Sequence, residues 1–476
     1  MPSQSESDFA LIKAYARINV GFLPFVYFCA PLRSLAYQRQ SLDKPHEPTQ
    51  FFDCKFYPYT PPGVDPVFAL VGKTETIVCR PVEAADSGVE IIRWFHEEDE
   101  AANINSCTWS HDLASGDPLL CVSGSPSTIK IFNVRSGELV KTLTGHGKEV
   151  NDLAVSPMSP TILASASMDH SVRLWSLDPK YEKQPCMLIC AGEGHKEGLL
   201  TLAFHSTGRY LLTGGMDCVV NLWTIPELPD NASGTDKPTI IHYPHFSTSA
   251  LHTDFVDCIL WYDDFILSKC ASECKIILWR IEGFNSADPP PPPGSAPTTH
   301  EFRPTRSAFG GTYQRLLQFE AHETTPFYMR FSIFDSPNKR PLLVIGNEKS
   351  KIFFWDLQAL EEWDGKVGMD GDFKMPKSTL RRGVARKIIN TQRESSTAST
   401  GTTTTNTTST SAIEDEKGSS KAKLRYAIDD PLKGLLPHKT QVVPKVTFAA
   451  RQAAWSVGGE WLVVVGDQGM MALFAR

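Results

Sequence analysis

Two stretches of this chain repeat one another in order and in chemistry, and that self-similarity constrains the fold more than any other feature. The first opens with Gly145-His146, runs through an apolar-polar segment at 150–155, and closes at 163–175 around Asp169 and Trp175. The second opens with Gly194-His195, runs through Leu202-Ala203-Phe204, and closes at 212–223 around Asp217 and Trp223. The closing tryptophans are 48 residues apart, close to the ~40–45 residue period of repeats built from four strands. Within each stretch apolar and polar residues alternate with period two between turn residues, as short antiparallel strands require. One such unit cannot cover its own apolar faces, so several must stack.

Weaker copies supply the rest. Residues 256–261, 265–268 and 275–279 form one, and 328–331, 342–346 and 351–356 the next. Upstream, 106–109, 119–123 and 129–132 form a divergent copy, preceded by 55–56, 67–71 and 76–79; downstream, 453–455, 461–465 and 470–474 form the last. The count is seven, which predicts an all-β, seven-bladed WD40 β-propeller with disordered insertions. The last copy offers only three strands, so a segment before about residue 55 is expected to add its outer strand and close the ring, removing free sheet edges.

The expected layout is a poorly ordered extension at 1–45, the propeller at 46–476, a Pro-rich loop at 283–305 and a long low-complexity insertion at 363–443. Pro289 to Pro293 cannot enter a ladder, and the Ser/Thr run at 395–411 has no apolar face to bury. The apolar stretch at 19–32 contains Pro24 and is too short to span a bilayer, and Glu6 and Asp8 are wrong for a secretory leader; no membrane association is expected.

A net charge of -7 argues against a protein whose main task is to wrap nucleic acid. The basic run at 374–387, with Arg381, Arg382, Arg386 and Lys387, is expected to be a solvated loop; a contact to nucleosomal DNA or an import signal is the sharper alternative, so direct nucleic-acid contact is secondary. The eleven cysteines fall mostly in apolar runs, which suits reduced thiols in a reducing compartment. The pairs Cys186/Cys190 and Cys270/Cys274 lack the second pair a zinc site needs, so no metal and no cofactor is expected.

His146, Ser165 and Asp169 resemble a hydrolytic triad. The same set recurs as His195, Thr213 and Asp217, each followed by a Trp, at 175 and 223. Repetition is what a structural hydrogen-bonded tetrad requires and what a unique active site does not. With no phosphate-binding Gly loop, no HExxH and no G-x-S-x-G, the chain is expected not to be an enzyme.

Several stretches are more specific than the repeat: Gly145-His-Gly-Lys-Glu-Val-Asn-Asp-Leu153, Glu193-Gly-His195 with Gly214-Gly-Met-Asp217, His245-Phe-Ser-Thr248 running to Val256-Asp-Cys258, Ile266-Leu-Ser-Lys269, Phe327-Tyr-Met-Arg-Phe-Ser332, Gly346-Asn347 and Arg451-Gln452. On these the chain resembles the Eed/extra sex combs family over roughly 50–360 and 440–476. The resemblance implies a nuclear subunit of Polycomb repressive complex 2, with the other subunits of that complex as partners. One face would bind a helix of an Enhancer-of-zeste type histone methyltransferase, and the other would hold a trimethyl-lysine of the histone H3 tail in an aromatic cage, stimulating the enzyme.

By the same resemblance Phe52, Phe327 and Tyr328 match cage aromatics, and Arg451 is a channel-mouth candidate. A further family aromatic falls on Asn105, a departure that would remove about 0.5–2 kcal/mol of cation–π attraction. Two alternatives stay open: a scaffold that has lost methyl-lysine reading, and a generic WD40 adaptor in signalling or ubiquitin ligation. The contacts of a methyltransferase helix lying in a groove would spread over several blades.

Overall fold

The computed structural model describes residues 49–82, 88–298, 303–362, 430–444 and 446–475, together with the strand Val26–Pro31. Its strands form seven antiparallel-cored sheets of four or five strands each. In chain order the blades begin with the inner strands Asp53–Phe56, Ile104–His111, Val150–Ser156, Leu199–Phe204, Val256–Tyr262, Phe331–Phe334 and Ala450–Trp455. These are blades 1 to 7. All seven sequence repeats therefore correspond to blades.

Each blade is held to the next by apolar side chains meeting between sheets. Leu119, Cys121 and Ile131 of blade 2 pack with Val150, Leu153, Leu163 and Trp175 of blade 3. Phe51, Cys54, Phe56 and Leu70 of blade 1 pack with Trp461, Val463 and Val465 of blade 7, which closes the ring. Trp109, Trp175, Trp223, Trp279 and Trp355 are at most 2% exposed; full burial of large apolar side chains contributes ~1.5–3 kcal/mol each.

The outer strand of blade 7 is Val26–Pro31, antiparallel to Met470–Ala475 with Val26 opposite Ala475 and Pro31 opposite Met470. It lies inside the stretch 1–45 that sequence reasoning set apart as an extension, so the ring begins before residue 46. Residues 1–25 and 32–48 lie outside the described residues.

The long insertion also needs its boundary moved. Residues 363–429, which include the basic run and the Ser/Thr run, lie outside the described residues. Residues 430–443 do not belong with them: Gly434–Leu435 adds a parallel fifth strand to blade 5, and Lys439–Val442 is the outer strand of blade 6, paired with Lys351–Asp356. Leu435 is 1% exposed and its carbonyl accepts from Trp355 Nε1 at 3.1 Å. The insertion thus interrupts blade 6 between its third and fourth strands instead of separating two blades.

The Pro-rich segment is a loop, as its prolines dictate, and residues 283–298 follow a defined path. The His245 imidazole Nε2 lies 3.2 Å from the Pro292 carbonyl, and prolines 290–293 wall a groove of about 1000 Å³ against Phe204, Ile225, Leu228 and Ile241 of blades 3 and 4.

Candidate functional site

In a propeller the inner strands line the central channel, and here five of the seven begin with the same irregularity. A β-bulge leaves Asn105 unpaired between Ile104 and Ser106, Asn151 between Val150 and Asp152, Leu200 between Leu199 and Thr201, Asp257 between Val256 and Cys258, and Arg451 between Ala450 and Gln452. A bulge re-aims the extra residue out of the pleat. Repeated at one end of successive inner strands, it rings one mouth of the channel with side chains that the sheets do not use. Phe52, immediately before the inner strand of blade 1, and Phe327 to Arg330, before that of blade 6, complete the ring.

Aromatic rings gather there. Phe52 and Tyr328 lie 6.2 Å apart edge to face, and Phe327 meets Tyr328 at 4.4 Å and 86°. Phe255, 38% exposed, stands 6.5 Å beyond Phe327. Cations border the group: the Arg451 guanidinium carbon is 5.4 Å from the centre of the Phe52 ring, and that of Arg330 is 4.9 Å from the centre of Tyr328. Arg451 is anchored on both sides, through Nε to Asp467 Oδ1 at 2.5 Å and through Nη1 to the Phe327 carbonyl at 2.6 Å.

Tyr328 is held with particular firmness. Its φ is +61°, a left-handed conformation that a bulky side chain adopts only under constraint. Its backbone N–H bonds the Asp257 carboxylate, its hydroxyl lies 3.4 Å from the Asn151 carbonyl, and Arg330 covers one ring face. Burial pushes the phenol well above its ordinary value, so it stays neutral. Arg330 is itself fixed by Asp152 Oδ1 at 3.0 Å and the Leu200 carbonyl at 2.8 Å.

Buried aspartates brace the ring. Asp53 accepts from Cys107 N at 3.0 Å and from Gln452 Nε2 at 3.2 Å, tying blade 1 to blades 2 and 7 beside Phe52. Asp152 accepts from Leu202 N at 3.0 Å, tying blade 3 to blade 4. Asp257 lies 3.2 Å from Lys269, both fully buried. Asn105, 8% exposed, donates through Nδ2 to Asn151 Oδ1 at 3.3 Å. The structure thus brings Phe52, Asn105, Phe327, Tyr328 and Arg451 to one mouth.

The His, Ser/Thr, Asp and Trp sets lie elsewhere, inside blades 3 and 4. Trp175 Nε1 donates to Ser165 Oγ at 2.8 Å, Ser165 Oγ lies 2.7 Å from His146 Nε2, and His146 Nδ1 lies 2.8 Å from Asp169. Burial keeps His146 below its ordinary pKa, hence neutral, so Nδ1–H donates to Asp169 and Nε2 accepts the Ser165 hydroxyl. Every donor in that chain is used. Trp223, Thr213, His195 and Asp217 repeat it with 3.0, 2.8 and 3.0 Å links. Ser165 and Thr213 are fully buried, which denies their hydroxyls to any substrate. The glycine before each histidine has a packing reason: a Cβ on Gly194 would stand 2.4 Å from the Trp223 ring.

Blade 5 holds a third set that sequence reasoning missed. Trp279 Nε1 donates to Ser268 Oγ at 2.9 Å, Ser268 Oγ lies 2.7 Å from His252 Nε2, and Glu273 takes the place of the aspartate at 3.4 Å from His252 Nδ1. The longer acid and a shifted spacing concealed it. His252, Cys270 and Glu273 have ligand atoms within 4.8 Å of one another, but both His252 nitrogens are already engaged. The ten described cysteines are free thiols, and no described helix is long and apolar enough to cross a membrane.

Asn151, Arg330, Asp257 and Phe255 were also missed. A charged residue inside an apolar stretch, as in Phe327-Tyr-Met-Arg330-Phe, was the available signal for Arg330.

Comparison with known proteins agrees with this architecture. The WD40 family described as "WD domain, G-beta repeat" matches 137–176 and 186–224. The chain is 46% identical over 66% of its length to the Polycomb protein EED of Chaetomium thermophilum, covering 58% of that relative. It is 30% identical over 65% of its length to the Polycomb group protein FIE2 of Zea mays, covering 74% of it. The first of these alignments spans less than two thirds of the relative. Among solved structures, a chain of the Chaetomium thermophilum Polycomb repressive complex 2 in complex with H3K27me3 and H3K27M matches with TM-score 0.75 and 35% identity, over 90% of this chain and 94% of that one. The seven blades, the motifs that set these repeats apart from other WD40 chains, and these relatives together show that the chain belongs to the Eed/extra sex combs family of Polycomb WD40 propellers.

Proposed function

We propose that this propeller is a non-catalytic subunit of a Polycomb repressive complex 2 in the nucleus, where it docks an Enhancer-of-zeste type histone methyltransferase and reads a trimethylated lysine of the histone H3 tail. The observation that carries the reading is the group of Phe52, Phe327 and Tyr328 at one channel mouth, with rings 4.4–6.2 Å apart. A quaternary ammonium cannot donate a hydrogen bond, and π-faces attract it through the ring quadrupole while offering nothing to a polar competitor. Phe52 and Phe327 are half-buried, so their faces are reachable, whereas Tyr328 is fixed.

The relatives support the scaffold half. Their names place them among Polycomb proteins, and the solved chains come from Polycomb repressive complex 2, one of them in complex with the trimethylated H3 mark. Stimulation of the enzyme by its own product requires different contacts with marked and unmarked tails. The aromatic group supplies that difference. Arg451, tied to the Phe327 carbonyl and set over the Phe52 ring, is the candidate to bond the backbone of a tail entering the channel mouth.

The test is reconstitution of the full chain with its methyltransferase and the remaining core subunits. Methylation of nucleosomes should rise when a trimethylated H3 tail peptide is added, and Tyr328→Ala should abolish the rise while leaving assembly intact. An assembly that forms without the methyltransferase, or stimulation that survives Tyr328→Ala, contradicts the reading.

A further inference from the structure

On the face that carries the aromatic group, a second hollow opens beside the channel mouth. Ile104, which precedes Asn105 in the chain, lines a pocket of about 300 Å³ between blades 1 and 2, together with Thr74, Phe95, Val122, Phe132 and Leu139. The backbone ties this pocket to the mouth: Phe52 N–H donates to the Val71 carbonyl at 2.9 Å, and Ile104 N–H donates to the Lys73 carbonyl at 2.7 Å. Phe95 and Phe132 stack at 4.3 Å and 21°, and Leu139, on the outer strand of blade 2, is 49% exposed. The walls are therefore largely apolar and reachable from outside.

The rim is acidic. Glu97, Glu98, Asp99 and Glu100 follow one another in the connection between the two blades, and the first two line the pocket. Backbone bonds fix that connection, from Glu97 N–H to the Thr74 carbonyl at 2.8 Å and from Ala102 N–H to the Asp99 carbonyl at 2.9 Å. Lys130 neutralises Glu97, with its ammonium 2.6 and 2.7 Å from the two carboxylate oxygens, whereas Glu98, Asp99 and Glu100 are exposed. An apolar hollow under a negative rim suits a lysine or arginine side chain, which buries its aliphatic stem and keeps its charged head at the edge.

We propose that this hollow is a second contact for the histone tail, taking a lysine or arginine that lies a few residues from the methylated lysine held by the aromatic group. Histone tails are rich in such residues, so occupant and rim are complementary in charge. The spacing follows from the blade. Inner to outer strand of a four-stranded blade is three steps of ~4.8 Å, about 14 Å in all, and an extended chain covers about 3.3–3.6 Å per residue, which places the basic residue about two to five positions from the methylated one. This inference rests on the reader function proposed above and adds a sequence requirement to it.

The experiment is calorimetric titration of the full chain with a trimethylated H3 tail peptide, and with versions in which each Lys or Arg within about five positions of the marked lysine is replaced by Ala, for wild type and Glu98→Lys/Glu100→Lys. Both substituted positions are exposed, so the fold should be retained, as circular dichroism would check. In wild type one of the peptide replacements should weaken binding by roughly 5-fold, the size of a rim ion pair with its packed stem. The charge reversal should weaken the parent peptide at least as much, yet leave the affinity of the peptide lacking that one residue unchanged. Peptide and protein changes whose effects simply multiply, or the absence of any single basic residue that matters, overturn the proposal and leave methyl-lysine reading in place. No binding of the trimethylated peptide to wild type overturns the reading itself, and this inference with it.

Discussion

Replacing Arg330 by Met keeps the side chain's length and apolar stem but removes the guanidinium that reaches across the channel from blade 6 to blade 3. In the native protein Arg330 and Asp152 side chains are 5% and 6% exposed, and the guanidinium also serves the carbonyls of Asn151 and Leu200. Its loss leaves a buried carboxylate without its counter-ion, which costs about 3–5 kcal/mol. Asp152 keeps the Leu202 N–H and the Ser106 hydroxyl at 3.0 and 3.4 Å, so the lower half of that range applies.

At ~2–4 °C per kcal/mol for large domains, the thermal midpoint of Arg330→Met should fall by roughly 6–16 °C. Adding Asp152→Asn removes the stranded charge and keeps an acceptor for Leu202 N–H. The double variant should therefore recover part of the loss, with a coupling of about 1–3 kcal/mol. Thermal unfolding of the wild type, both single variants and the double variant forms a complete cycle. An Arg330→Met midpoint indistinguishable from wild type, or additive single effects, would refute the idea that this ion pair staples the two blades.

Phe52→Ala should weaken binding of a methylated H3 peptide by about 2- to 30-fold, the range of one aromatic wall, with thermal stability lowered far less than by loss of a fully buried Phe; unchanged affinity by calorimetry would remove Phe52 from the site. Removing the chain through Pro31 should expose Met470–Ala475 as an unpaired edge, lower the midpoint and promote self-association seen by light scattering; a monomer of unaltered midpoint would show the strand to be dispensable.

Acid should act through the tetrads. Burial favours the neutral form of Asp169 and Glu273, but the hydrogen bonds from His146 and His252 outweigh it and hold both carboxylates well below their usual range. Their contribution is complete above an unfolded-state pKa of about 4 and is lost as pH falls towards the folded value. His146 and His252 are depressed by burial, so the unfolded state binds more protons below about 6.5 and stability falls with pH there too. The midpoint should drop from near pH 6.5 downward and steepen below about 4, less so in Asp169→Asn; a flat profile across that window would contradict the assignment.

The blades were most legible where local chemistry is strictest. At 145–175 and 194–223 the His, hydroxyl, Asp and Trp residues recur because each tetrad needs all four, and these are the stretches that the general repeat family also matches. Blade 5 blurred because Glu273 bonds His252 from a different reach. The outer strand of blade 6 left no trace in the sequence pattern: Lys439–Val442 pairs with Lys351–Asp356 across the whole insertion, and such a non-local pair imposes no period on the residues between. The channel mouth was only partly legible. Resemblance supplied Phe52, Asn105, Phe327, Tyr328 and Arg451, but the bulges that free Asn151 and Asp257 from their ladders have no local signature, and Arg330 meets Asp152 at a separation of 178 residues.

The measurement that tests the account most directly is titration of the full chain with unmodified against methylated H3 tail peptide, comparing wild type with Phe52→Ala/Tyr328→Ala. The account predicts methyl-dependent binding that the double variant loses while its fold, followed by circular dichroism, is retained. Equal binding of modified and unmodified peptides, or methyl-dependent binding that survives loss of both rings, would contradict it.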